Sequence, residues 1–278
     1  KKINSLRLKW MVFSILLATI PLAIAGFNII QIYQKDLKKS VIEAEEMKAG
    51  MVVERMESFF EKVTSNLLFL AKDENFRKIS PSYTKGHLEN LLYQNDYLVE
   101  LTMLNENGQE TVKVSKYEVV GPSDLKDQSK SEMFRATAKG QTFYGEVRIS
   151  RDEVPIITIA VPIEEYKGKL IGVLNAQIHL QCLWDIVSET KIGEKGFAYV
   201  VDKEGTTIAH PDTRKVLMKE NVSYLCGNRC HIQKKTVFEF GWPSGERFLN
   251  VYKRIPRLNW MVMIQIPVEE AYEPIRQI

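Results

Sequence analysis

Leu101–Val114, LTMLNENGQETVKV, and Ala198–Pro211, AYVVDKEGTTIAHP, carry one pattern twice: an apolar run, an acidic or amide turn closing on Gly108 or Gly205, and a second strand-like run. β-Branched and aromatic residues favour strands, and turn residues set between two such runs mark a hairpin. A hairpin that recurs at long range signals an internal duplication. The next strand pairs agree. VPIITIAVPIEEYKGKLIGVLNAQI, Val154–Ile178, and ERFLNVYKRIPRLNWMVMIQI, Glu246–Ile266, each read as strand, Pro-marked bend, strand. Between the first and second hairpin of a half lies a helical piece such as Ser131–Ala138. Each half is therefore an α+β module of about 85 to 95 residues, with about five antiparallel strands and helices on one side.

Between the halves, HLQCLWDIVSETKIGEKG places Leu180, Leu183, Trp184 and Val187 at helical spacing, which predicts a connector that packs. Upstream, Leu37, Val41, Ala44, Met47, Met51, Phe59, Val63, Leu67 and Leu70 recur at three- and four-residue steps. About forty helical residues extend about 60 Å, long enough to serve as a spine for two stacked modules. The Met and Phe stripe on that helix reads as core packing.

At the amino terminus, Lys1, Lys2, Arg7 and Lys9 precede an apolar run from Trp10 to Tyr33. Some two dozen helical residues span about 36 Å, enough for about 30 Å of hydrocarbon with tilt. Trp10 and Tyr33 sit where interfacial aromatics sit, and the basic cluster stays cytoplasmic. A cleaved signal peptide is the competing reading, because Ala23-Ile24-Ala25 has the small-x-small form. Phe27, Ile29, Ile30 and Ile32 carry the apolar pattern past that point and favour an uncleaved helix. Either way the remainder is exported.

Of the 278 residues, 45% are hydrophobic and 26% charged, with a net charge of +3, which is globular composition without the dense basic stripe of a nucleic-acid binder. No nucleophile is paired with a base, and no metal-ligand cluster is evident, so the residues give no enzyme and no metal site. His210, followed by Pro211 and Asp212, lacks a catalytic partner. Pro211 ends the strand for want of an N–H, while His210 and Asp212 cap or line the next loop. Among the three cysteines, Cys226 and Cys230 in CGNRCH suit a local disulfide or free thiols, and Cys182 stands in an apolar context. The same stretch is a widened form of a haem-attachment motif, with His231 as axial ligand, one residue longer than C-x-x-C-H.

The membrane helix, the long helix from about residue 34 to 79, the stretch KGKLIGVLNAQIHLQCLWDIVSETKIGEKGFAYVVDKEGTTIAHPD and the closing LNWMVMIQIPVEEAY resemble the double Cache (dCache, PAS-like) sensor regions of bacterial transmembrane receptors. The resemblance is closest in the second half. It implies an α+β chain divided into a cytoplasmic N-terminus (1–9), a transmembrane helix (10–33), a stalk helix (34–80), a membrane-distal module (81–183), a membrane-proximal module (184–270) and a lead-in to a second membrane span (271–278). It also implies a homodimer in the bacterial inner membrane, extracytoplasmic after about residue 33. The output beyond this chain is expected to be a histidine kinase, with a methyl-accepting chemoreceptor or a nucleotide cyclase as the alternative. An envelope binding protein without output is the remaining alternative. No cofactor is expected.

Family members that bind amino acids hold the ligand in the distal module with an Arg-x-Trp-Tyr motif, a strand aromatic and a last-strand Asp. Here Ser131, Met133 and Phe134 stand at the Arg, Trp and Tyr positions, Phe143 at the aromatic and Gln177 at the Asp. Neither charge of an α-amino acid finds a partner at these positions, so micromolar binding of a common amino acid is not expected. Arg148, on FYGEVRIS, remains as a partner for a small carboxylate. Strict alternation puts Tyr144, Glu146 and Arg148 on one face and Phe143, Gly145 and Val147 on the other. Whether the polar face meets solvent or the cavity stays open at this point.

Overall fold

A computed structural model describes residues 2–73, 81–150, 154–165, 168–226, 237–241 and 245–273. Helix α1, Lys2–Lys72, runs unbroken through Pro21, and at 1.5 Å per residue it is about 105 Å long. Its first third holds an 18-residue window of mean hydropathy 2.1, none of it buried, long and apolar enough to cross a membrane. Farther along, α1 turns a stripe of Ala49, Val52, Val53, Met56, Phe60, Val63, Leu67 and Ala71 inward. The sequence stripe drifted from this one: Met47 and Met51 lie outside, 69% and 50% exposed. Several three- and four-residue tracks run along a helix this rich in apolar residues, and only the sheets it packs against select one.

Helix α2, Pro81–Gln94, leads into β1, Leu98–Asn105, and β2, Glu110–Ser115. A 3₁₀ turn at Pro122–Asp124 precedes α3, Glu132–Thr137, then β3, Phe143–Tyr144, β4, Arg148–Ile149, β5, Pro155–Glu164, and β6, Leu170–His179. Helix α4, Gln181–Glu189, connects to β7, Phe197–Val201, and β8, Thr207–Ala209, followed by α5, Thr213–Leu217, and α6, Ser223–Cys226. The chain closes with β9, Val237–Gly241, β10, Arg247–Ile255, β11, Trp260–Pro267, and α7, Val268–Ala271.

Two antiparallel sheets result, ordered β2-β1-β6-β5-β3, with β4 also on β5, and β8-β7-β11-β10-β9. The orders are the same permutation, so the duplication extends to topology. It also reaches the turns. Asn105 Oδ1 accepts from the backbone N–H groups of Asn107 and Gln109. Asp202 Oδ1 accepts from those of Glu204 and Thr206. Gly108 and Gly205 then take φ of 81° and 85°, the left-handed region that a Cβ disfavours.

One expectation fails in the hairpin β5–β6. Pro162 lies within β5, opposite Val173, and the reversal comes later around Gly168. Pairing of β3 with β5 stops at Ala160, so no strand asks Pro162 for the N–H it lacks. In β10–β11, Pro256 does lie in the turn between Ile255 and Trp260.

The spine carries both sheets along one continuous core. Phe60 stacks edge-on against Trp260 of β11 at 5.6 Å, Phe59 meets Tyr97 at 5.4 Å, and Thr64 shares a 3.0 Å hydrogen bond with Tyr144 of β3. Helix α4 buries Leu183, Ile186 and Val187, and Trp184 Nε1 donates to Ile208 O at 3.3 Å, as a packed connector should.

Candidate functional site

The distal sheet has two working faces. Ile157, Ile159, Val161, Leu174, Ala176 and Ile178 point into the α1 core. On the other face Thr158, Asn175 and Gln177 line a cavity of about 350 Å³ beneath α3, with Phe143 and Met133. That volume suits a small metabolite.

The sequence candidates divide on inspection. Ser131, Met133, Phe143, Arg148 and Gln177 all line this cavity, while Phe134 is not among its lining residues and packs against the small cluster of Leu104, Met133, Ala160 and Val173. Ser131 is committed to capping α3: its hydroxyl donates to Gln128 O at 2.7 Å and accepts from Phe134 N–H at 3.1 Å. Gln177 Nε2 donates to Glu100 Oε1 at 3.0 Å, and Glu100 pairs with Lys113 at 2.9 Å. The position that carries an Asp in amino-acid binders is here an amide engaged by an existing carboxylate.

Arg148 corrects the alternation. Tyr144 opposes Ile159 and Arg148 opposes Ile156, four residues on one strand against three on the other. The extra residue is a bulge between β3 and β4 that reverses the parity. Arg148 therefore shares the cavity face with Phe143, while Val147 packs against the α1 core and Tyr144, which also borders the cavity, reaches Thr64 of α1 with its hydroxyl. Glu146 bonds across the modules to Lys203 at 3.4 Å rather than to Arg148.

Two functional groups escaped the sequence reading. Asn175 is 9% exposed, and its Oδ1 is buried without a hydrogen-bond partner among the described residues, in the wall of the cavity. A buried acceptor left open in a cavity wall asks for a donor from a guest. Lys203, in the turn of the proximal β7–β8 hairpin, reaches the mouth of the distal cavity. Its place in a turn gave no hint that it met the other module. The cavity lining thus offers an open acceptor, two cations, Arg148 and Lys203, and two carboxylates, Glu132 and Glu146, of which Glu146 is already paired with Lys203.

His210 is 7% exposed and its Nδ1 accepts the Asp212 N–H at 2.8 Å, while Asp212 caps α5 through Arg214 N–H. Burial first, then the nearby Lys215 charge, pushes the imidazole down to about 4. It is a neutral scaffold group in the loop after β8. Burial pushes the Cys182 thiol up to about 12, which leaves it unreactive. The Cys226 side chain, Cys230 and His231 lie outside the described residues, and with them the disulfide and haem expectations. Among the described residues no group of three or more His, Cys, Asp or Glu is placed to hold a metal.

A family model described as Cache domain matches residues 31–275. The methyl-accepting chemotaxis protein PctB of Pseudomonas aeruginosa is 26% identical over 272 residues, which is 93% of this chain and 41% of that protein. The chain spans 18% of a second such relative, PscA of Pseudomonas syringae pv. tomato, and so less than half the length of either. Among solved structures, the ligand-binding domain of the Campylobacter jejuni chemoreceptor Tlp3 with 4-methylisoleucine superposes with a TM-score of 0.68 at 15% identity, covering 86% of this chain and 95% of that one. The extracellular domain of a candidate histidine kinase, mmHK1S-Z2, gives 0.62 at 15% identity, covering 82% and 98%.

Proposed function

Since the chain belongs to the Cache domain family, we propose that it is the ligand-sensing region of a membrane-anchored receptor, with the distal cavity as its binding site. The carrying observation is the pairing, in one cavity, of the open Asn175 acceptor with the Arg148 and Lys203 cations at the mouth. The ligand that satisfies both ends is a small carboxylate bearing a hydroxyl or amide donor. The carboxylate meets Arg148, and the donor meets Asn175. Relatives that bind amino acids or γ-aminobutyrate, such as PctB with L-Arg and PctC with GABA, support a small polar ligand.

Signalling follows from linkage: a ligand shifts the receptor only by its differential affinity for two arrangements. Lys203 is the element both modules share at the mouth, and α1 is the element both sheets grip. This portion binds and does not catalyse. We read the whole receptor as a homodimer in the bacterial inner membrane. Chemotaxis relatives favour a chemoreceptor output over the histidine kinase put first by the sequence; the nucleotides encoding residues after Ile278 test that choice directly.

Calorimetry on the chain in lipid nanodiscs, with a panel of short hydroxy- and amido-carboxylates, tests the binding site. A micromolar ligand whose affinity falls about 10- to 150-fold in Arg148→Ala is the expected result, from a charge-assisted bond of about 1.5 to 3 kcal/mol. Tight binding that ignores both Arg148→Ala and Asn175→Leu overturns the assignment.

A further inference from the structure

The duplicated sheet carries a second cavity on the equivalent face of the proximal module. In the distal sheet Glu100 opposes Gln177 and Thr102 opposes Asn175. In the proximal sheet Phe197 opposes Gln265 and Tyr199 opposes Met263. Phe197, Tyr199 and Gln265 line a cavity of about 30 Å³, closed by Thr207, His210, Lys215, Glu220, Val222 and Tyr224. At about 10 to 15 Å³ for each water-sized guest, it holds about two or three.

Its walls are short of partners. Tyr199 and Thr207 are 2% and 3% exposed, and the hydroxyl oxygen of each is buried with no hydrogen-bond partner among the described residues. Glu220 Oε2 is buried as well, 3.2 Å from Lys215 Nζ but outside hydrogen-bond alignment. Three oxygens from β7, β8 and the segment after α5 thus converge on one small space. Native interiors pair the large majority of such groups, and three of the seven buried unpaired side-chain atoms among the described residues belong to residues lining this one cavity.

We propose that this cavity binds a primary ammonium group, as free ammonium or as the head of a small amine. All three oxygens accept hydrogen bonds, and ammonium brings four N–H donors where water brings two. Phe197, Tyr199 and Tyr224 line the cavity, and aromatic rings attract a cation placed over their faces. An anion meets the Glu220 carboxylate. His210 adds no competing charge, since its Nδ1 already accepts the Asp212 N–H. Lys215 shows that the Glu220 carboxylate takes a primary ammonium; its side chain, 37% exposed, turns to water when a free one arrives. The site stands independently of the distal cavity, with which it shares no lining residue.

The test is thermal unfolding of the chain in nanodiscs, followed by tryptophan fluorescence, where Trp184 reports from its bond to Ile208. Ammonium chloride should raise the melting temperature by several degrees over sodium chloride of equal ionic strength, the linkage effect of a ligand at many times its Kd. Tetramethylammonium, which has no N–H, should give no rise. A rise with methylammonium as well assigns the site to amine heads, and a rise with ammonium alone assigns it to the free ion. The near-isosteric Thr207→Val should abolish the rise, and Arg148→Ala, in the distal module, should keep it. Equal melting in ammonium and sodium chloride means the cavity holds water only and overturns the proposal. A rise that persists in both Thr207→Val and Tyr199→Phe overturns it too.

Discussion

Acid should weaken this protein through His210, by an amount that follows from its burial. The imidazole sits 7% exposed among Phe197 and Tyr199, with ring centroids 5.0 and 5.6 Å away. Burial and Lys215 hold its folded pKa near 4, against an ordinary value of 6.5. Between those two values the unfolded chain binds a proton that the folded chain refuses, so stability falls as pH drops through this window. It is unaffected above about pH 7. At pH 5 the full shift corresponds to about 2 kcal/mol, and screening by solvent at the cavity mouth lowers it to about 1 to 2 kcal/mol. Carboxylates titrate over the same range, so the comparison must be with a variant. His210→Asn keeps an acceptor where Nδ1 receives the Asp212 N–H and removes the titration. Urea unfolding of both proteins at pH 7.5, 6, 5 and 4.5 should show the wild type losing about 1 to 2 kcal/mol more than the variant by pH 5. Parallel pH profiles would refute the argument, because they would mean that the folded imidazole takes up its proton as readily as the unfolded one.

Phe60→Ala should cost about 3 to 5 kcal/mol in urea unfolding, since Phe60 is fully buried against Trp260 and holds the spine to the proximal sheet; a loss below 1 kcal/mol would mean that α1 is not gripped there. Gly172→Ala places a Cβ 2.5 Å from Leu104 O in the adjacent strand, so β1 and β6 must part; a loss of about 2 kcal/mol or more is expected, measured by thermal melting. Lys203→Met should change stability by less than about 0.5 kcal/mol, because its bridge to Glu146 is exposed. It should nevertheless weaken carboxylate binding by calorimetry, and unchanged affinity would remove Lys203 from the binding site.

What the sequence determined is what local chemistry encodes. A continuous apolar run needs no partner to show itself, and the sequence alone marks a helix near the amino terminus that is long and apolar enough to cross a membrane. Likewise the turns at Asn105–Gly108 and Asp202–Gly205 are closed by their own side chains and by glycines at positive φ. Their repetition was therefore enough to reveal two modules, while the strand order within each sheet came from the structure alone. His210 was legible as a loop residue because its bond to Asp212 N–H spans two positions.

The site was less legible, since it depends on relations between distant residues. Ser131 and Gln177 were placed at the cavity, but the sequence could not show that a helix cap and the Glu100 carboxylate had already engaged them. Arg148 changed faces because of one unpaired residue between β3 and β4, a bulge that exists only in register with β5. Asn175 stands out only because its Oδ1 has no hydrogen-bond partner among the described residues, and Lys203 only because its bridge to Glu146 joins the two modules. Periodicity gives the direction of a side chain only while a strand stays regular. Tertiary packing decides where it breaks, which polar groups are left open, and what faces them across a gap.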